Sequence, residues 1–373
     1  MVDAITFART DEQTMLGSTV RDFLEATVDF DAVREMSTTQ DAMDMNVWTG
    51  LGEMGLIGLH IPEEYGGAGF GATEVGVVFQ ELGRKVAAAP LLSSVLASTA
   101  ILGAGTDDQK SRFLPQIATG ETVATLAVYE GAHDVDPGAG DATLAMSDDG
   151  WVLNGVKRYV TDAPNASVFV VSASTPDGVA LAVVSSDTSG VSVAATNSLD
   201  ATRPLGDVTF SEVHVNADDV MSEASNAIAD SLNMGVVCLA AEQVGGTQWC
   251  LETSVEYAKN RYQFGRAIGS FQAIKHLCAD MLVGVEHARS VAWHAAATID
   301  DPEESAIAVP LARSVCSDAY VKAAGDTIQI LGGIGFTWEH EAHLYFKRAK
   351  STSLLLGSVD SYRDRLADAV GIS

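Results

Sequence analysis

The 373-residue chain is long enough to bury a large hydrophobic core and to form two or three cooperating domains. Its 50 acidic residues outweigh 22 basic ones, and the net charge of -28 repels phosphate backbones and anionic lipid headgroups. We therefore expect no nucleic acid and no membrane among its partners. An anionic ligand would need local donors, for which Arg261 and Arg348 are candidates.

The first third of the chain reads as a helical domain. From residue 11 to about residue 118, apolar residues recur at helical spacing, for example around Val20 and Trp48. Proline and glycines interrupt the pattern at residues 61–69. This break formally matches a dinucleotide fingerprint, but no strand precedes it, so we interpret it as a turn.

An uncharged stretch at residues 86–106 is long enough to span a bilayer by the rule of about 20 apolar residues. Pro90 and several serines and threonines interrupt it. We therefore predict a helix buried between other helices.

The periodicity changes between about residues 121 and 219. Short β-branched runs, separated by Gly, Pro, Asp and Asn, predict a small β domain with strands at 168–171, 179–184, 191–193 and 208–215. Helical patterning returns after Ser222, and Asp301 followed by Pro302 predicts an N-cap and first helical residue. Such segregated blocks argue against a βαβ sheet. The predicted domains are 1–118, 119–220 and 221–373.

Cysteine and histidine spacing gives no metal or disulfide signature. The four cysteines form no C-x-x-C pair and lie in apolar stretches, which is typical of buried thiols and of a reducing cytoplasm. No secretory signal is visible at the N-terminus. His340 and His343 are one residue too close for an H-E-x-x-H zinc helix, so we assign no metal.

Two motifs in the last third carry the strongest functional signal. Residues 261–268 read RYQFGRAI and are followed by Phe271 and Gln272, while residues 329–335 read QILGGIG. Each motif alone is more typical of a helix-end turn. Together they resemble the FAD-contacting segments of the acyl-CoA dehydrogenase family, and the resemblance extends over nearly the whole chain.

The resemblance implies a mainly α fold with a central small β domain. The family has a helical N-terminal domain, a β-barrel-like middle domain and a C-terminal four-helix bundle. Residues 51–71, LGEMGLIGLHIPEEYGGAGFG, and 107–121, DDQKSRFLPQIATGE, resemble its signatures in the first third of the chain.

By resemblance, the cofactor is FAD. The residues implied to contact FAD across a subunit interface are Arg261, Phe264, Gln272, Gln329, Ile330, Gly332 and Gly333. On the flavin side the family's T-E-P-x-x-G-S-D loop aligns with residues 129–134, where the Thr and the Gly-Ser are missing. The W-I-T-N motif appears at residues 159–162, and only Thr161, implied to face flavin N5, is kept.

The family's catalytic glutamate is missing from both of its positions. One position lies nine residues after Arg348, at Gly357, or at Leu356 if one deletion is allowed. The other falls on Gly235. None of these side chains can accept a proton.

A substitute base is conceivable at Glu242. It lies two helical turns beyond Gly235, about 10 Å along the axis, which is out of reach for proton transfer. We interpret Glu242 as a helix-surface or interface carboxylate, and we assign no catalytic residue.

This pattern resembles the non-catalytic subunit of the α2β2 acyl-CoA dehydrogenases of actinobacterial sterol side-chain degradation. The implied partner is a paralogous subunit that carries the glutamate, and the implied substrate is an acyl-CoA thioester, with a steroid-CoA plausible. Two alternatives remain open. One is a self-sufficient homotetramer with a relocated base, and the other is a flavin-free structural or acyl-CoA-binding protein on the same scaffold.

Overall fold

The computed structural model describes residues 9–131, 140–147 and 150–372. The first helices are α1 (Asp11–Thr27), α2 (Phe30–Met36), α3 (Met45–Glu53), α4 (Ala72–Lys85), α5 (Leu91–Ala104) and α6 (Asp107–Ala118). The central strands are β1 (Ala124–Ala127), β2 (Thr143–Ser147), β3 (Gly150–Thr161), β4 (Val168–Thr175), β5 (Gly178–Ser185), β6 (Val191–Thr196), β7 (Leu205–Val215) and β8 (Val220–Met221). The last elements are α7 (Ser225–Asn260), β9 (Tyr262–Gln263), β10 (Arg266–Ala267), α8 (Gln272–Ala297), α9 (Pro302–Leu331), α10 (Ala342–Thr352) and α11 (Val359–Ala369).

The predicted order of helices, strands and helices is confirmed. The residues group into two compact units that alternate along the chain. The helical unit contains the residues up to Arg34, Ala72–Ala87 and the chain from Val236 onward, and the sheet unit contains Glu35–Gly71 and Ala88–Gly235. The domain boundaries at 118 and 220 stay a prediction.

The sheet unit is built on an eight-stranded sheet with the order β6-β7-β3-β2-β4-β5-β8, and β1 pairs with β4 in parallel. Its core contains Phe169 and Phe210, whose rings meet edge to face at 6.3 Å. Helix α5 packs on β1 and α6 within this unit, so the uncharged stretch is buried against a strand as well as a helix. None of the helices in the described ranges has the length and apolarity that a bilayer-crossing helix needs.

The pairing of β3 with β7 is irregular at the end that leads to Thr161. The register shifts twice, between Leu153 and Gly155 and between Lys157 and Val160. Tyr159 and Asp162 have positive φ angles of 53° and 54°. Such bulges bend a strand and redirect its side chains. They set the local backbone around Thr161.

In the helical unit, two glycines let α4 and α7 approach each other closely. A Cβ atom on Gly83 would lie 2.0 Å from the carbonyl oxygen of Glu242, and one on Gly245 would lie 1.9 Å from that of Gln80. Only glycine permits such backbone contact. Helices α8, α10 and α11 pack against α9.

Helix α9 begins as the sequence predicts. The side chain of Asp301 accepts hydrogen bonds from the backbone N–H groups of Glu303 and Glu304, and Pro302 is the first helical residue. The predicted burial of the cysteines is confirmed for Cys238, Cys250 and Cys316, while Cys278 is half-buried.

Candidate functional site

Residues 261–272 form a small hairpin that follows α7. Strands β9 and β10 pair in antiparallel fashion, with Arg266 opposite Gln263. Phe264 and Gly265, at the tip, have φ angles of 53° and 78°, the combination of a type I′ turn. The predicted R-x-x-F-G turn is therefore a two-residue hairpin. The tight turn projects its tip side chain outward.

The hairpin presents an aromatic ring and guanidinium groups to the surface. Phe264 is 91% exposed, and its ring meets that of Phe271 edge to face at 6.1 Å. The guanidinium of Arg266 lies 4.2 Å from the Phe271 ring centroid. Arg261 is exposed, and its side chain makes no hydrogen bond with the described residues. These groups are free to meet an anionic, planar ligand.

The glycine run lies at the end of α9. Gly332 has a φ angle of 63° and ends the helix, and a Cβ atom on Gly332 or Gly333 would meet nothing within 4 Å. Gln329 is exposed, whereas Ile330 is buried, so only the backbone of Ile330 could contact a ligand. The turn therefore offers an open backbone surface, as a phosphate or adenine contact requires.

Within the described residues, no hydrogen bond or ring contact joins the hairpin to the glycine turn. Each forms its own exposed surface in the helical unit.

Thr161 belongs to the sheet unit and ends β3. The residue is 4% exposed, and its carbonyl oxygen accepts a hydrogen bond of 2.7 Å from Thr125 Oγ1. Its own hydroxyl makes no hydrogen bond with the described residues. Asp162, which replaces the asparagine of the family motif, is buried and accepts a hydrogen bond of 2.8 Å from Ser93 Oγ.

In the aligned flavin-side loop at residues 129–134, the carboxylate of Glu130 is held by several hydrogen bonds. Its carboxylate accepts hydrogen bonds from the backbone N–H groups of Asp141 and Ala142 and from Lys157 Nζ. Burial alone would raise the pKa of Glu130, but the hydrogen bond from Lys157 and those from the backbone hold that pKa below its usual value. Glu130 thus ties together chain segments on either side of the loop. Residues 132–134 of the aligned loop lie outside the described residues.

The position implied for the catalytic glutamate is a sharp corner after α10. Leu356 is buried and adopts a φ angle of 62°, which is strained for a side chain of its size, and Gly357 has a φ angle of 105°. A Cβ atom on Gly357 would lie 3.1 Å from the ring of Tyr362. The corner carries no carboxylate and has little room for one at Gly357.

A fully buried arginine on α9, Arg313, fastens this corner. Its Nη1 donates to the carbonyl oxygen of Thr352 at 2.6 Å, and its Nη2 donates to those of Leu355 and Gly357 at 2.6 and 2.9 Å. The carbonyl between them, that of Leu356, accepts from the hydroxyl of Tyr362 at 3.0 Å. These bonds hold the strained backbone in place.

Glu242 is not at the surface, contrary to the sequence-based interpretation. It is 1% exposed on α7, and Oε1 lies 2.8 Å from Nη1 of Arg348, which is also 1% exposed. Helix α4 packs so closely on α7 that the Glu242 side of the helix is covered, which helical periodicity alone could not reveal. The expectation that Arg348 could meet an anionic ligand is also wrong, because its charge is buried and paired with Glu242.

Sequence reasoning missed Arg313 and the pair Lys157–Glu130. The signal for Arg313 was available, because it is the sole charged residue in the run VPLARSVCS at 309–317. A lone cation among small and apolar residues of a helix must find carbonyl or carboxylate partners if it is buried. Among the described residues, no His, Cys, Asp and Glu side chains cluster in the number that a metal site needs.

Models of the acyl-CoA dehydrogenase family match three consecutive parts of the chain. The N-terminal domain matches residues 10–121, the middle domain matches residues 125–213 and the C-terminal domain matches residues 225–371.

Individual relatives cover almost the full length. The chain is 34% identical over 365 residues to the acyl-CoA dehydrogenase IpdE2 of Mycobacterium tuberculosis, with 96% of this chain and 98% of that protein covered. It resembles a chain of the ChsE4-ChsE5 complex from Mycobacterium tuberculosis with a TM-score of 0.89, 27% identity, and coverage of 99% and 100%. It also resembles a chain of the Tcur3481-Tcur3483 steroid ACAD with a TM-score of 0.87, 30% identity, and coverage of 97% and 98%.

Proposed function

Because the chain belongs to the acyl-CoA dehydrogenase family, we propose that it is the non-catalytic subunit of a heteromeric, FAD-dependent acyl-CoA dehydrogenase. The observation that carries this proposal is the corner at Leu356 and Gly357. The family's proton acceptor is replaced there by a buried leucine and a glycine, and Arg313 locks the backbone around them. Abstraction of the α-proton requires a carboxylate within hydrogen-bond reach. In the proposed enzyme, a paralogous subunit supplies that carboxylate.

The exposed groups of the helical unit fit a cofactor held in a neighbouring subunit. Arg261 offers a charge-assisted donor, Phe264 an aromatic face, and Gln329 an amide beside the open backbone of Gly332 and Gly333. When bound, FAD accepts the hydride that dehydrogenation removes from the acyl-CoA. This chain's part is to bind and orient the cofactor across the interface, with Gln272 and the backbone of Ile330 as further contacts. Thr161 keeps a nearly buried hydroxyl without a partner among the described residues.

The proposed substrate class is a steroid side-chain CoA thioester. Support comes from two solved neighbours: the Tcur3481-Tcur3483 steroid ACAD and the ChsE4-ChsE5 complex, each named for two chains. Both cover nearly the whole of this chain, and the assembly of two different subunits agrees with a chain that has lost its own base.

The homotetramer with a relocated base is less consistent with the geometry. Glu242, the one carboxylate considered for that base, is buried in an ion pair with Arg348. A base in that pair would have to break a buried ion pair before it could reach a substrate.

The test is to co-express this chain with a glutamate-bearing paralogue, purify the complex and count FAD. We expect equal numbers of the two chains and FAD on half of the protomers, because this chain's own flavin-side loop has lost its hydroxyl and Gly-Ser donors. FAD absorbance is compared with subunit amounts from quantitative amino-acid analysis.

Two other outcomes would contradict the proposal. One FAD per protomer would contradict the expectation that only half of the protomers bind FAD. A colourless complex would favour the flavin-free alternative. As a control, the same count is made on this chain purified alone, where bleaching of a bound flavin by an acyl-CoA would indicate a self-sufficient enzyme.

A further inference from the structure

A cavity of about 180 Å³ lies within the helical unit, bordered by α4, α7, α8 and the residue before the N-cap of α1. Part of its lining is apolar and includes Val244, Trp293 and Ala296. The lining also carries two guanidinium groups, those of Arg9 and Arg289. The cavity shares no residue with the hairpin, the glycine turn or the corner after α10.

Each of the two arginines donates a hydrogen bond to a neutral glutamine. Arg9 Nη2 donates to Gln80 Oε1 at 2.7 Å, and Arg289 Nη2 donates to Gln248 Oε1 at 2.8 Å. In the described part of the chain, no carboxylate lies within ion-pair distance of Arg9. The glutamine amides do not neutralise the guanidinium charges. Each guanidinium also retains several of its five N–H donors for another acceptor.

One carboxylate does border the cavity, that of Glu286. It lies 3.6 Å from Arg289 Nη2, and its side chain is 60% exposed, so it neutralises that cation weakly. Burial lowers the pKa of Arg9, Glu81 partly opposes this, and the nearby cations Arg289 and Arg21 lower it further. The cavity is thus a locally cationic site in a chain with a net charge of -28.

We propose that this cavity binds a small organic carboxylate with an apolar body. Its carboxylate lies between Arg9 and Arg289, and its body lies against Trp293. A guanidinium matches a carboxylate in two parallel hydrogen bonds, and a protein cavity of about 150 Å³ accepts a benzene ring. Inorganic phosphate fits less well, because it has no apolar body to lie against Val244, Trp293 and Ala296 and because Glu286 repels a dianion more than a monoanion.

Binding would affect the stability of the whole helical unit. The cavity lies between elements that are far apart in sequence, so it exists only when they are packed together. A ligand that binds only the folded state stabilises it by mass action, and the melting temperature then rises with ligand concentration.

Benzoate is the probe for the test, and benzamide is its neutral match in size. Both are titrated calorimetrically into the full-length chain in its purified assembly, followed by thermal unfolding. We expect saturable benzoate binding, at least about tenfold weaker benzamide binding, and a rise in melting temperature with benzoate alone, because the charge-assisted bonds require the carboxylate.

The variants Arg9→Gln and Arg289→Gln should each weaken benzoate binding by at least about tenfold. Arg112→Gln is the matched control, because this surface arginine lies in the sheet unit and should leave binding unchanged. Benzamide bound as tightly as benzoate, or no saturable benzoate binding, would overturn the proposal without reference to any variant. Phosphate that competes with equal affinity would show that the site does not select an organic body.

Discussion

The burial of Glu242 changes the effect that its substitution should have on stability. As a surface carboxylate it could be replaced without consequence, but as one half of a buried ion pair it cannot. Glu242→Gln removes the carboxylate that lies 2.8 Å from the buried guanidinium of Arg348. We expect the free energy of unfolding to fall by about 3–5 kcal/mol, measured by urea denaturation.

The pairing itself is tested by a double-mutant cycle. Adding Arg348→Gln to Glu242→Gln should restore part of the lost stability, because two neutral side chains need no charge compensation. Asp360→Asn, which breaks an exposed pair with Arg363, is the control and should change stability by less than about 1 kcal/mol. A single Glu242→Gln variant as stable as the parent would mean that the buried pair is not formed.

Arg261 is the residue on which the cofactor proposal most depends. Arg261→Ala removes an exposed donor that contacts no other described side chain by a hydrogen bond, so the chain should fold normally. In the complex with the paralogue, we expect FAD to bind at least about tenfold more weakly, because a charge-assisted hydrogen bond is lost. Fluorescence titration of the FAD-free complex measures the dissociation constant.

The neighbouring Lys259→Ala provides the comparison for Arg261. Lys259 is exposed in the last turn of α7 and belongs to neither motif. Equal FAD affinities in both variants would mean that the hairpin does not contact the cofactor.

His60 gives the sheet unit a stability that depends on pH. Its Nε2 lies 2.9 Å from Ser98 Oγ, its Nδ1 is buried without a partner among the described residues, and burial lowers its pKa to about 4. The unfolded chain takes up this proton near pH 6.5. Between pH 6.5 and 4 the unfolded state therefore binds more protons, and the free energy of unfolding falls as the pH drops, by about 3 kcal/mol at most.

Unfolding curves of the parent and of His60→Gln over this pH range isolate that contribution. The loss of stability should be smaller in His60→Gln, while His287→Gln, at an exposed position, should follow the parent. Parallel curves for parent and His60→Gln would show that His60 has the same pKa in the folded and in the unfolded chain.

At the scale of elements, Arg313 connects α9 to the corner that follows α10. Arg313→Met introduces an unbranched apolar side chain of similar length. It leaves three backbone carbonyl oxygens without their donor. We expect a loss of at least about 3 kcal/mol in stability and faster hydrogen exchange at residues 352–357, measured by mass spectrometry.

The comparison for this variant is Arg363→Met on α11, where the guanidinium is 48% exposed and pairs with surface carboxylates. That change should cost less than about 1 kcal/mol. If hydrogen exchange at residues 352–357 were unchanged in Arg313→Met, the corner would be held by Tyr362 and local packing alone.

The elements themselves could be predicted because their signals are local. The four predicted strand runs fall within β4, β5, β6 and β7, and the N-cap at Asp301 is where the sequence places it. The corner could not be predicted in the same way. Its left-handed backbone at Leu356 runs against local preference and is stabilised by Arg313, a residue more than forty positions away.

In the candidate site, too, some features follow from local sequence and others depend on long-range packing. The exposure of Phe264 and the open turn at Gly332 follow from turn chemistry that the sequence displays. The burial of Glu242 does not, because apolar and small residues surround most of α7 and its pattern does not indicate which face α4 covers. Long-range packing decides that contact.

At the scale of the whole molecule, the acidic excess should set how the folded chain responds to salt. A net charge of -28 produces self-repulsion in the compact state, and salt screens it. Raising the ionic strength from about 0.01 M to about 0.15 M shortens the Debye length from about 30 Å to about 8 Å. We expect the melting temperature to rise by a few degrees in sodium chloride at pH 7, measured by scanning calorimetry.

The control is sucrose at equal osmolality, which strengthens burial without screening charge. A melting temperature that falls with salt would mean that screening of attractive pairs such as Arg84–Glu252 outweighs the relief of repulsion.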